Sequence, residues 1–160
     1  QMSQRFGFPI LADGSNPLRY HPESGNSVII HYDRIVRTDA WADLKPEAVI
    51  LWGEPPTSKI LRAKLADLDI QGYLVSSAKQ GINPVYGNIE WVGSSLKAFV
   101  DQADSRGGQF ANRWTEVDRH MEEALERSLG ESHPLFEGDV HRFILSISSG
   151  DTKATAHAMA

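Results

Sequence analysis

One stretch constrains the fold of this chain more than any other: Ala48 to Leu68, AVILWGEPPTSKILRAKLADL. Five apolar residues, Ala48 to Trp52, run into Gly53. Two prolines follow, then Thr57 and Ser58. Ile60, Leu61, Ala63, Leu65 and Leu68 then recur at the spacing of an amphipathic helix. This reads as a buried strand, a tight turn and a helix capped by a hydroxyl residue. Such a unit is the repeat of a parallel α/β sheet, whose binding sites lie where strands end and helices begin. Lys59 falls in the first helical turn, beside N–H groups with no intrahelical partner, which makes an anion site there conceivable. The plainer alternative is a capped helix with a solvated lysine, and local spacing leaves both open.

The 160 residues amount to one ordinary domain, long enough to bury about 70% of the unfolded surface. Hydrophobic residues make up 41% and charged residues 23%, the balance of a globular chain rather than a disordered one. A net charge of −5 without a basic stripe argues against nucleic acid or an anionic membrane as partner. Cysteine is absent, which excludes disulfides and thiolate metal sites. No apolar run approaches a membrane span, and no cleavable targeting segment is expected at the start.

In chain order, Met2 and Phe6 share a helix face that Gly7 ends. Strands are expected near 8–12, 48–52 and 72–76, with 88–92 shorter and nearer an edge. Continuous apolar runs predict burial of both sheet faces. Ser27 is expected to begin a helix with Val28, Tyr32, Ile35 and Val36 on one face, ending near Trp41–Leu44. Ser94 or Ser95 caps a short helix through Leu96, Phe99 and Val100. A longer helix from about Asn112 to Leu129 carries Trp114, Val117, Met121 and Leu125, with Glu123 and Arg127 as an i,i+4 pair. The fold class is therefore α/β, a three-layer Rossmann-like sandwich with a mainly parallel sheet.

Chemistry-bearing motifs are sparse. There is no glycine-rich phosphate loop, and Pro55 and Pro56 remove donors such a cradle needs. The six histidines, at 21, 31, 120, 133, 141 and 157, form no recognisable ligand pair, and a site at His133 and His141 has little to recommend it. Asp13 and Asp33 are conceivable acid–base groups, though turn-forming and helix-surface roles fit them better. The residues alone describe a binding or structural domain without a complete active site.

Several segments in this order carry a resemblance: FPILADGSNPLR (Phe8 to Arg19), YDRIVR with a following tryptophan, EAVILWGEPPTSK (Glu47 to Lys59), YLVSS, IEWV, and a late helix with a tryptophan. Together they resemble the middle domain of the 2-succinyl-5-enolpyruvyl-6-hydroxy-3-cyclohexene-1-carboxylate synthases, with cyanobacterial members nearest in character. The resemblance covers roughly Phe8 to Arg142, and the PPTSK turn is its most specific element. It implies a thiamine diphosphate-dependent transferase of menaquinone and phylloquinone synthesis. That enzyme decarboxylates 2-oxoglutarate and adds the succinyl unit to isochorismate.

By the same resemblance, thiamine diphosphate and Mg²⁺ or Mn²⁺ are held by N- and C-terminal domains that would be this chain's partners. One carries a glutamate and the other a GDG motif. The nearest strings here are Ala12-Asp13-Gly14 and Gly150-Asp151-Thr152, so no cofactor, metal or catalytic residue is expected in this chain, and no turnover by it alone. The implied parent is a cytoplasmic homo-oligomer acting on small carboxylates. Lys59 is the implied substrate-binding residue, with Thr57, Ser58 and Arg62 in support. Family members often place an arginine after the lysine; Ile60 stands here, leaving Arg62 as the candidate second cation. The competing expectation is a free-standing Rossmann-like module that binds a small acid or nucleotide in a regulatory or structural role.

The family domain opens with a strand and helix ahead of Phe8, whereas this chain begins within that helix. Its tail reads as a strand at Phe143–Ser148, a turn at Ser149–Asp151, and an alanine-rich helix start. Joined in thought to Gln1, the tail puts Ala154, Ala158, Met2 and Phe6 on one face. The expectation is a single domain over 1–160 in which 143–160 supply the first strand and helix, within one chain or by exchange. The alternative is that 139–148 continue as a helix.

Overall fold

The computed structural model describes residues 6–20, 27–53, 55–77, 88–102 and 108–130. Five strands and four α-helices follow one another: β1 Ile10–Leu11, β2 Val28–Ile29, α1 Tyr32–Ile35, β3 Ala48–Trp52, α2 Lys59–Ala66, β4 Gln71–Val75, β5 Ile89–Val92, α3 Leu96–Gln102 and α4 Phe110–Gly130. Single 3₁₀ turns at Pro17–Tyr20 and Asp39–Ala42 complete the described elements. Every pairing is parallel. β1 pairs with β2, and β3, β4 and β5 pair in that order. This is an α/β, Rossmann-like layout, and its parallel strands lie in two sheets among the described residues.

Side-chain alternation explains the layers. In the second sheet Leu51, Leu74 and Trp91 lie in register, as do Ile50, Tyr73 and Glu90 one step away on the opposite face. The first face meets α2, whose Leu61 and Leu65 are buried in one cluster with Leu51 and Leu74. Each such leucine contributes about 1.5–3 kcal/mol of burial. On the other face Tyr73 meets Phe99 of α3 with ring centroids 5.9 Å apart. A three-layer order follows for this sheet.

Ile29, Tyr32, Ile35, Val36, Trp41, Leu44 and Trp114 extend the same core. Trp41 and Trp114 meet edge to face, with centroids 6.5 Å apart and planes at 77°. That arrangement sets the positive ring edge against the negative face.

The chain divides into two compact units, 1–122 and 123–160. All the packing above belongs to the first. In the second, the described residues are the C-terminal turns of α4, where Arg127 Nε donates to the backbone oxygen of Glu123 at 3.2 Å.

Three expectations need correction. Ser27 does not open a helix: Val28 and Ile29 form a strand beside β1, and α1 begins only at Tyr32. The helical spacing is a coincidence of number: Val28 falls four before Tyr32, but the residue of β2 that enters the core is Ile29. The strand expected over 8–12 is limited to Ile10–Leu11. Burial of both faces fails on β3, where Ile50 is 39% and Trp52 59% exposed. The edge position of β5 and the strand over 48–52 stand as expected. Met2, His133 and His141, the GDG-like string at 150–152 and the tail over 139–160 lie outside the described residues.

Candidate functional site

The turn between β3 and α2 begins with Gly53 at φ 79°, a left-handed conformation that favours glycine. Pro55 and Pro56 have no N–H to give, so the turn cannot be tied by amides of its own there. After the prolines the amide of Thr57 donates to Asp13 Oδ2 at 3.3 Å, while Thr57 Oγ1 donates to Asp13 Oδ1 at 2.8 Å. Tyr32 Oη also donates to Asp13 Oδ1. Asp13 lies two residues beyond β1, so one carboxylate joins the ends of two strands and the start of α1.

Ser58 supplies the second anchor. Its Oγ accepts the N–H of Leu61 at 3.1 Å, which caps α2, and donates to Asp33 Oδ1. Asp33 in turn accepts Arg37 Nε at 3.1 Å from one turn along. These contacts leave a mark on titration. The Ser58 hydroxyl, and then the Arg37 guanidinium, hold the Asp33 carboxyl below its ordinary range. Burial, and then the bond to Asp13, push the Tyr32 hydroxyl up to about 12.

Lys59 follows immediately, exposed, in the first turn of α2. It enters no ion pair or side-chain hydrogen bond among the described residues. Arg62 lies further along α2, half-buried, and its backbone N–H reaches Ser58 O. The hydroxyl of exposed Thr57 is bonded to Asp13 and that of buried Ser58 to Asp33. Lys59 is exposed beside them, with its ammonium group bonded to nothing among the described residues. Asp13 and Asp33, weighed from sequence as acid–base groups, are both occupied by donors, and they are the residues whose part in this site the sequence did not reveal.

A histidine lies elsewhere in the fold between two carboxylates. His31 Nε2 is 2.9 Å from Glu122 Oε2. Its Nδ1 is 3.3 Å from Asp118 Oδ1, close enough for charge attraction but without hydrogen-bond geometry. Asp118 also accepts the backbone N–H of His31 at 2.8 Å and of Ile30 at 3.4 Å. This cluster ties α4 to the start of α1.

No protein-family model matches this chain. Among curated proteins, the 2-succinyl-5-enolpyruvyl-6-hydroxy-3-cyclohexene-1-carboxylate synthase of Synechococcus elongatus is 29% identical over 146 residues, 90% of this chain and 25% of that synthase. The chain is similar to these synthases. The one from a Synechocystis species is 27% identical over 142 residues, 82% of this chain and 24% of its own length. That of Listeria welshimeri is 28% identical over 147 residues, 87% of this chain and 25% of its own length. The chain thus spans about a quarter of the synthases it matches. Their names describe an enzyme that makes a cyclohexene carboxylate bearing a succinyl group.

The described residues do not fit a thiamine diphosphate and metal site. Asp13, in the string nearest to a GDG motif, has both carboxylate oxygens engaged by Tyr32 and Thr57. No group of three histidine, aspartate or glutamate side chains among the described residues is arranged to hold a metal ion. No helix among them is long and apolar enough to cross a membrane.

Proposed function

We propose that this chain is the middle α/β domain of a thiamine diphosphate-dependent synthase and that Lys59 lends a cation to its substrate pocket. In that reading the cofactor and its Mg²⁺ belong to flanking domains, and the cofactor supplies the carbanion chemistry of decarboxylation there. The domain braces the enzyme and places one ammonium group where a substrate carboxylate arrives. Its substrates are 2-oxoglutarate and isochorismate, its location is the cytoplasm, and the chain alone turns nothing over.

The observation that carries the reading is the position of Lys59. It is exposed, unpaired among the described residues, and set on a rigidly tied turn at the C-terminal ends of parallel strands. Ligands of open α/β sheets bind at that end. Similarity to the synthases over nine-tenths of the chain supports the same identity. A charge-assisted contact to a carboxylate contributes about 1.5–3 kcal/mol.

The test uses the complete gene product. Its reading frame should encode flanking domains with the activating glutamate and the GDG motif. Lys59→Ala should lower kcat/KM for one carboxylate substrate roughly 10- to 150-fold while the melting temperature stays unchanged. A reading frame that ends near this chain, or unchanged kinetics with both substrates, would sink the proposal and favour a free-standing acid- or nucleotide-binding module.

A further inference from the structure

Ser58 and Lys59 begin α2, where Ser58 O accepts the N–H of Arg62 at 3.1 Å, whereas the approach to them includes two prolines. Pro55 and Pro56 offer no amide, and Gly53 sits in a left-handed conformation with no atom of the described residues within 4 Å of the place of a side chain. The entry of the chain into α2 therefore depends on bonds from other segments. What fixes it is a pair of carboxylates reaching in from elsewhere, Asp13 from 44 positions away and Asp33 from 25 positions away.

The two are not equivalent. Asp33 has its own cation in Arg37 and bonds a serine that already caps α2. Asp13 has no cation among the described residues and is bonded only by neutral donors. It takes both the amide and the hydroxyl of Thr57, so it fixes the backbone as well as the side chain at that position. Tyr32, 4% exposed, in turn orients Asp13 from the core. A rigid chain runs from the core through Tyr32, Asp13 and Thr57 to the residue two places before the free ammonium.

We infer that Asp13 is a positioning residue for Lys59: it sets the direction of the ammonium group toward the substrate carboxylate and does not touch substrate itself. This rests on the assignment of Lys59 proposed above. A misplacement of about 1 Å can forfeit much of what a well-placed group contributes, so a residue at this remove can lower the benefit of Lys59 without touching substrate.

The experiment is a double-mutant cycle in the complete gene product, with 2-oxoglutarate and isochorismate as the varied substrates. Asp13→Asn keeps the shape but takes one acceptor from Thr57. It should raise KM for the substrate that Lys59→Ala affects by about 10-fold, with kcat little changed. In the Lys59→Ala background it should add almost nothing, because there is no ammonium left to aim. Thr57→Val removes only the hydroxyl bond, spares the Tyr32–Asp13 contact, and should raise the same KM by less; it serves if Asp13→Asn does not fold.

A large Lys59→Ala effect with unchanged KM in both Asp13→Asn and Thr57→Val overturns the inference alone. So does an effect that multiplies in the double variant, the sign of a merely structural loss. If Lys59→Ala changes neither KM, the assignment of Lys59 fails and this inference with it.

Discussion

The carboxylate of Asp118 accepts the backbone N–H of His31 at 2.8 Å, joining residues 87 positions apart. The same carboxylate takes the N–H of Ile30 at 3.4 Å and faces the His31 ring. α1 is only Tyr32–Ile35, and no side chain of its own caps it. A four-residue helix does not persist on its own hydrogen bonds. Its placement depends on the core beneath it and on this carboxylate at its start.

Asp118→Ala should therefore destabilise the chain by about 1.5–3 kcal/mol, since it removes a charged acceptor from a half-buried amide. Glu122→Ala removes the other carboxylate beside His31, but that side chain is about half exposed. It should cost under about 1 kcal/mol. Urea midpoints with an unchanged m-value give the comparison. Equal losses in the two variants would show that Asp118 acts only through the ring and not through the backbone.

Tyr32 makes an alkaline prediction. Its hydroxyl is raised from 10.0 to about 12 in the folded chain. Above pH 10 the unfolded chain releases this proton while the folded chain retains it, so the unfolded state gains. The contribution of Tyr32 is whole below about pH 10 and is lost as pH rises toward about 12. Tyr32→Phe is less stable at pH 8 through the lost bond to Asp13, yet its deficit should narrow between pH 10 and 11.5. Other alkaline groups cancel in the difference. A deficit that stays constant with pH would contradict the assignment.

Asp33 works in the opposite direction. The Ser58 hydroxyl and then Arg37 lower it from its ordinary value of 3.8. Its contribution is present above that pH and is lost as pH falls through the lower folded value. Asp33→Asn should be less stable than the native chain at pH 6 and nearly equal to it at the acid end of the transition. Arg37→Ala should do less, because that pair is about half exposed to water. If Arg37→Ala costs as much as Asp33→Asn, the guanidinium and not the serine governs the carboxyl.

Strand β3 and helix α2 were legible because their signals are local: five apolar residues, a glycine, two prolines and a periodic helix. β2 was not, since two residues carry no period, and Val28 happens to fall four before Tyr32. The exposure of Ile50 and Trp52 was also invisible, because an apolar run does not say which face lacks a cover. Local position marked Lys59 as a conceivable anion site and left a solvated lysine equally open; the choice of it as substrate-binding came from the resemblance. The roles of Asp13 and Asp33 could not, because hydrogen bonds across 44 and 25 positions leave no pattern in neighbouring residues. The one hint was the turn itself: prolines that lack amides leave it fewer backbone bonds of its own. His31 belongs with these, its carboxylate neighbours lying on a helix far along the chain.

Two glycines separate backbone strain from crowding. Gly7 and Gly53 both have positive φ, 69° and 79°. Alanine at either position meets the left-handed penalty, about 1–2 kcal/mol. At Gly53 nothing among the described residues lies within 4 Å of the added carbon. At Gly7 the added carbon runs into the backbone of Gly108, just ahead of α4. Gly7 O also accepts the N–H of Ala111 at 2.9 Å, so the chain cannot draw back without breaking the bond that holds the first turn of α4. Overpacking of this kind adds about 1–3 kcal/mol. Gly53→Ala should thus lose about 1–2 kcal/mol, and Gly7→Ala about 2–5 kcal/mol with faster amide exchange at Ala111. Similar losses at the two positions, or an Ala111 amide as protected as before, would mean that Gly7 does not hold α4 in place.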